Sequence, residues 1–195
     1  MLDTYARKLV QPLFERLATI CIRLHLSPNT ITLISLLVGV FAGLFIYLNM
    51  PLAALACLWC SGLLDVLDGT VARRTGKVSA FGTVMDITFD RIVELSLVIG
   101  IACRNPDITF YLLILTASIV ISMTIFLTVA AAADKSGIKS FFYQAGIAER
   151  SEGFIMFSLM IIFSQWAGLI TLIFAGMIFF TALQRFFEAK RLFEK

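Results

Sequence analysis

The stretch "TITLISLLVGVFAGLFIYLN", Thr30 to Asn49, runs for twenty residues without one charged side chain. Twenty residues of helix rise about 30 Å, which matches the hydrocarbon core of a bilayer. In lipid no water bonds the backbone, so a run like this must satisfy its own amides, and a helix does so. Further spans of this kind are expected at about 51–72, 80–103, 107–133, 152–166 and 168–187, six in all. Pro28, Pro51 and Pro106 stand near helix starts, where a missing N–H does no harm. Composition agrees: the chain is 59% hydrophobic and 15% charged, against about half and a quarter in soluble domains. The expected fold is all-α, a polytopic membrane protein with six transmembrane helices in a single domain over residues 1–195.

Residues 1–26 read differently. Leu2, Ala6, Leu9, Leu13, Leu17, Ile20 and Leu24 recur at helical spacing, with charges between them. That pattern predicts an amphipathic helix lying in the membrane interface, kinked or divided at Pro12. No cleavable signal peptide is expected there. The bundle is expected over about 30–187, with 188–195 as a cytoplasmic tail. With six spans, Arg7, Lys8, Arg16 and Arg23, then Arg73, Arg74 and Lys77, then Lys135, Lys139 and Arg150, then Arg185, Lys190, Arg191 and Lys195 share one side. Only Arg104 faces the other. The positive-inside rule puts the rich side, and both termini, in the cytoplasm. In a bacterium the membrane would be the inner one. The net charge of +3 is small, and no nucleic-acid partner is expected.

The acids break the apolar pattern. Asp65 and Asp68 are three apart, and Asp86 and Asp90 four apart, so each pair shares one helix face. Two helices joined by a short loop can turn these faces together at the cytoplasmic side. Four converging carboxylates repel unless cations neutralise them. Mg²⁺ suits such oxygen ligands and keeps positions for water or phosphate, and four aspartates are enough for two ions. Gly69 and Gly82 let a phosphate or a neighbouring helix approach closely. Arg73 can grip a phosphate with two donors, and Ser79 can add a hydroxyl. Metals, arginine and small residues together describe a pyrophosphate site. The bland alternative is a set of intramembrane salt bridges with Arg73, Arg74 and Arg91. Acids within spans are functional by default, which favours the site.

The run Asp65-x-x-Asp68-Gly69-x-x-Ala72-Arg73, eight residues, Gly82, three residues, Asp86, three residues, Asp90 resembles the signature of the CDP-alcohol phosphatidyltransferase family. The resemblance extends to the interfacial helix, the "SPNTIT" start of the first span and the six spans. It implies a phosphatidyl transfer from CDP-diacylglycerol to a small polar alcohol, with release of CMP, in phospholipid synthesis. It implies two Mg²⁺ or Mn²⁺ ions on Asp65, Asp68, Asp86 and Asp90, with Asp90 also the general base. Gly69, Arg73, Ser79 and Gly82 match positions around the CDP moiety. Pro28, Asn29 and Thr30 resemble another part of that pocket.

The acceptor is less determined. Arg91 after Asp90, and Glu149, Arg150 and Glu152 in "AERSEGF", resemble phosphatidylinositol-phosphate synthases. Yet "TVAAAADKSG" has alanine where those synthases carry Lys and Arg. The acceptor is therefore expected to be inositol phosphate-like, or another polyol or glycerol phosphate. Arg150 and Arg185 are its candidate contacts, with plain positive-inside anchoring as the alternative. A rival of another class is a divalent-cation or proton transporter using the Asp cluster. Such sites usually lie at the midplane between repeated halves, and no repeat is visible here. Gly39 and Gly43 form a GxxxG, a motif that can mark a dimer face, so a homodimer is expected. Cys57 and Cys60 form a CxxC without a second pair, and read as buried free thiols.

Overall fold

The computed structural model describes residues 2–135, 146–147 and 150–194. Lys139, Glu149 and Lys195 lie outside the described residues. Every regular element described is helical: α1 Leu2–Arg23, α2 Pro28–Tyr47, α3 Pro51–Thr75, α4 Ala80–Arg104, α5 Thr109–Lys135, α6 Arg150–Ile162 and α7 Ala167–Phe193. Short 3₁₀ turns, Pro106–Ile108 and Ser164–Trp166, precede α5 and α7. Among the described residues, four stretches are long and apolar enough to cross a membrane: Pro28–Tyr47, Pro51–Thr75, Pro106–Ala133 and Ser164–Phe193.

The expected third and fifth spans differ from these four, each for its own reason. α4 has 25 residues, about 37 Å at 1.5 Å per residue, but carries Asp86, Asp90, Arg91 and Glu94. Arg91 and Glu94 pair on it at 2.6 Å. α6 has only 13 residues, about 20 Å of rise. Leu2–Arg23 form a helix, α1, that Pro12 does not divide.

The chain forms two compact units, residues 2–106 and 107–195. In the first, α2 packs on both α3 and α4, and α1 packs on α3. Ala18 of α1, Ile31 of α2, and Leu67 and Val71 of α3 form one buried cluster. Ser35 and Ser61 lock α2 to α3 reciprocally: each hydroxyl donates to the other's carbonyl, at 2.8 and 2.9 Å. In the second unit α7 packs on α5 and α6.

Gly39 and Gly43 are buried inside the chain. A Cβ on Gly39 would strike Val93 and Ser61, and one on Gly43 would strike the Ser96 backbone. The GxxxG face expected to serve a homodimer is thus used by α3 and α4. Leu37, Phe41 and Leu44 on α2, Phe110 and Leu113 on α5, and Leu169 and Ile173 on α7 are exposed. Apolar surface on this scale suits lipid rather than water, so the chain is an integral membrane protein. Cys57 and Cys60 are free thiols, but neither is buried: Cys57 is half-buried and Cys60 exposed.

Candidate metal and nucleotide site

The helix ends that carry the aspartates are set by their caps. α3 closes at Gly76, whose φ of +66° is left-handed, a conformation glycine adopts without strain. The turn lets the Lys77 amide donate to the Ala72 carbonyl at 3.0 Å. Two residues later Ser79 caps α4, its hydroxyl accepting from the Gly82 amide at 3.0 Å. The chain thus re-enters a helix at once, and α2 supports both arms.

Asp65 and Asp68 from α3 and Asp86 from α4 each offer a carboxylate oxygen, all within 4.8 Å of one another. Asp65 and Asp68 are buried, and Asp86 is half-buried. Asp90, one turn further along α4, is half-buried and stands outside that group of three. Asp68 Oδ2 is buried without a hydrogen-bond partner. An acceptor left so costs about 1–3 kcal/mol, and more when charged. A cation held among the three carboxylates would satisfy it. The donor set is hard and all oxygen, which suits Mg²⁺ or Mn²⁺. The residues present therefore fit a divalent ion.

A cleft of about 280 Å³ opens beside this group. Ligand pockets commonly span about 300–1,000 Å³, so this one suits the charged part of a nucleotide rather than a whole lipid. Pro28 and Asn29 from the first turn of α2, Gly69 and Arg73 from α3, and Ser79 and Gly82 at the start of α4 line it with Asp68 and Asp86. The glycines keep its polar groups clear. A Cβ on Gly69 would lie 3.2 Å from Arg73 Nη1, and one on Gly82 would lie 3.1 Å from Ser79 Oγ. Arg73 Nη2 rests on Thr70 Oγ1 at 3.3 Å, which aims an exposed guanidinium. Ser79 accepts at its cap and still has a hydroxyl proton to donate.

Thr30 is not among the lining residues. Its hydroxyl and the Ser27 hydroxyl bond at 2.7 Å in the α2 cap. Thr32 lines the cleft instead, because it lies one turn, four residues, after Pro28. Lys77 and Thr83 also line it and escaped the sequence reading. Thr83 was within reach, being one turn after Ser79. Lys77 was counted only as an orientation signal.

The candidate acceptor contacts lie in the second unit. Arg150 opens α6, with its guanidinium 5.9 Å from the Phe154 ring centre. Arg185 on α7 reaches Ser122 Oγ at 3.5 Å and lies 5.3 Å from the Phe126 ring centre on α5. The alanine run 130–133 lies within α5, with Ala133 buried.

The family model described as CDP-alcohol phosphatidyltransferase matches residues 25–183. The archaetidylinositol phosphate synthase of Pyrococcus horikoshii is 34% identical, over 100% of this chain and 99% of that protein. The inner membrane protein YnjF of Escherichia coli is 29% identical, over 95% and 93%. The fold resembles that of the Mycobacterium tuberculosis phosphatidylinositol phosphate synthase solved with CDP-DAG bound. That likeness has a TM-score of 0.71 and 23% identity, over 91% of this chain and 94% of that one. The same enzyme has been solved with manganese and citrate, with a TM-score of 0.72. Signature, carboxylate geometry and full-length similarity agree, and the chain belongs to the CDP-alcohol phosphatidyltransferase family.

Proposed function

We propose that this chain transfers a phosphatidyl group from CDP-diacylglycerol to inositol phosphate and releases CMP. The observation that carries the reading is the convergence of Asp65, Asp68 and Asp86 within 4.8 Å beside a cleft lined by Arg73 and two glycines. Inositol phosphate is favoured over other polyol or glycerol phosphates because a relative matched over its full length is named an archaetidylinositol phosphate synthase. The transporter alternative draws no support from the family.

In this reading Arg73, Ser79 and the Asn29 side chain hold the CDP moiety, and Gly69 and Gly82 leave it room. Two divalent ions, Mg²⁺ or Mn²⁺, supply charge stabilisation at the attacking and leaving oxygens when bound to Asp65, Asp68, Asp86 and Asp90. Asp90 takes the proton of the acceptor hydroxyl. That oxygen bonds to the lipid-side phosphorus, the phosphorus–oxygen bond to CMP breaks, and CMP carries the negative charge away. Arg150 and Arg185 neutralise the acceptor phosphate.

The membrane arrangement belongs to the same proposal. The chain is one membrane domain with α1 in the interface and six spans, α4 and α6 completing the four more apolar ones. The Arg91–Glu94 pair lowers the cost of crossing for α4. The clustering of Lys and Arg supports a cytoplasmic site and cytoplasmic termini. Any homodimer uses a surface other than Gly39 and Gly43.

The test is CMP release by the purified protein with CDP-diacylglycerol and Mn²⁺. Inositol phosphate, inositol, glycerol-3-phosphate, serine and phosphatidylglycerol are offered in turn. Inositol phosphate should give the highest rate. A higher rate with another alcohol reassigns the acceptor. No release with any, together with Mg²⁺ flux into liposomes, restores the transporter.

A further inference from the structure

Arg74 follows the arginine that lines the nucleotide cleft, yet it reaches the other way. Its Nη1 donates to the Glu15 carbonyl at 2.8 Å and to Thr19 Oγ1 at 2.9 Å, both on α1. Thr19 Oγ1 itself donates to the Glu15 carbonyl at 2.8 Å. The three groups close a triangle between the last turn of α3 and the middle of α1. A guanidinium on a helix carbonyl is a charge-assisted bond, stronger than a neutral one.

This contact borders a second cleft, of about 550 Å³, between α1 and α3. Gln11, Phe14 and Glu15 form its α1 wall, and Val66, Thr70, Arg73 and Arg74 its α3 wall. Arg73 lines both this cleft and the one holding Asp68 and Asp86. Whatever fixes α1 here also fixes the surroundings of the Arg73 guanidinium. Packing reaches the same segment through Ala18, which sits against Leu67 and Val71. Arg74 supplies the polar part of that hold.

We propose that Arg74 is a positioning residue that latches α1 to the end of α3 and keeps the wall beside Arg73 formed for the CDP-linked lipid. The assignment rests on the transferase reading above. It predicts an effect on one substrate only. The Arg74 guanidinium bonds to α1 and does not line the cleft that holds Asp68 and Asp86, so its loss should act on CDP-lipid binding through the wall beside Arg73.

The experiment compares wild type, Arg74→Ala, Arg74→Lys, Thr19→Val and the Arg74→Ala/Thr19→Val double variant, each in nanodiscs. The expected result for Arg74→Ala is a KM for CDP-diacylglycerol about tenfold higher. Its kcat, acceptor KM and Mn²⁺ half-saturation should stay within twofold. Arg74→Lys should recover most of the loss, because an ammonium can still donate to both oxygens. Thr19→Val should give a smaller rise, and the double variant should be no worse than Arg74→Ala. An unchanged KM, a fall in kcat alone, or additive losses would overturn the latch. Hydrogen exchange at residues 14–23, measured without substrate, judges it independently of activity. Arg74→Ala should speed exchange there, and unchanged exchange also overturns the proposal. A wild type that releases no CMP sinks the transferase reading and leaves the exchange result to decide on the latch.

Discussion

Gly43 on α2 and Gly100 on α4 meet backbone against backbone. A Cβ on Gly100 would overlap the Gly43 carbonyl oxygen, and one on Gly43 would overlap the Ser96 carbonyl. Helices approach this closely only where side chains are absent. Asp86 lies on the same helix as Gly100, about four turns away at 3.6 residues per turn. The α2–α4 seam therefore helps decide where Asp86 stands against Asp65 and Asp68.

Gly100→Leu should drive α4 away from α2. Overpacking of this kind costs about 1–3 kcal/mol or more. For a chain of this size each kcal/mol moves Tm by roughly 2–4 °C, so a fall of at least about 2 °C is expected. Gly176→Leu is the control, since nothing lies within 4 Å of a Cβ there, and its Tm should hold. Differential scanning fluorimetry in detergent reads both. Equal shifts would mean that the seam is looser than the glycine contacts indicate.

The carboxylate group predicts a response to metal removal. Three acids with oxygens within 4.8 Å repel one another unless a cation sits among them. Chelation with EDTA should lower the wild-type Tm, and Mn²⁺ should restore it by mass action. Asp68→Asn removes one charge and replaces the orphaned Oδ2 acceptor. It should raise the Mn²⁺ half-saturation of activity at least tenfold and make Tm nearly indifferent to EDTA. A normal Mn²⁺ titration in that variant would count against Asp68 as a ligand.

Much of this arrangement was legible because membrane physics narrows the choices. A twenty-residue apolar run has to be helical, and Pro28, Pro51 and Pro106 mark helix starts, whereas the caps at Gly76 and Ser79 emerge only in the structure. Asp65 and Asp68 announce a shared face through their spacing alone. Their meeting with Asp86 is a tertiary fact, expected from a short loop but set by α2, which supports both arms. Nothing local shows that Gly39 and Gly43 serve that seam rather than a second chain, because a GxxxG looks the same in either role. Thr30 and Thr32 are likewise indistinguishable until the helix phase from Pro28 is known. α4 and α6 read as spans by position in the pattern, while charge in one and shortness in the other leave them less apolar than the rest.

Asp90 carries the proposed proton transfer, so it should separate chemistry from binding. Asp90→Asn keeps the shape but cannot accept the acceptor's proton. General base catalysis contributes about 10²–10⁴-fold, so CMP release should fall at least a hundredfold. Binding of CDP-diacylglycerol, measured by calorimetry with Mn²⁺, should stay within threefold. Retained turnover would remove Asp90 from the base role, and a parallel loss of binding would make it chiefly a ligand.

Arg185 offers the sharpest test of the acceptor. Its guanidinium is steadied by the Ser122 hydroxyl and the Phe126 ring, which orients a fork able to take two phosphate oxygens. Arg185→Ala should raise KM for inositol phosphate about tenfold and leave KM for CDP-diacylglycerol unchanged. Arg185→Lys should recover little, because an ammonium keeps the charge without the fork. Ser122→Ala should show a weaker form of the same selective rise. If Arg185 serves only as positive-inside anchoring, Lys will replace it fully and neither KM will move. The ratio of the two KM values across Arg, Lys and Ala therefore decides between a phosphate contact and a membrane anchor.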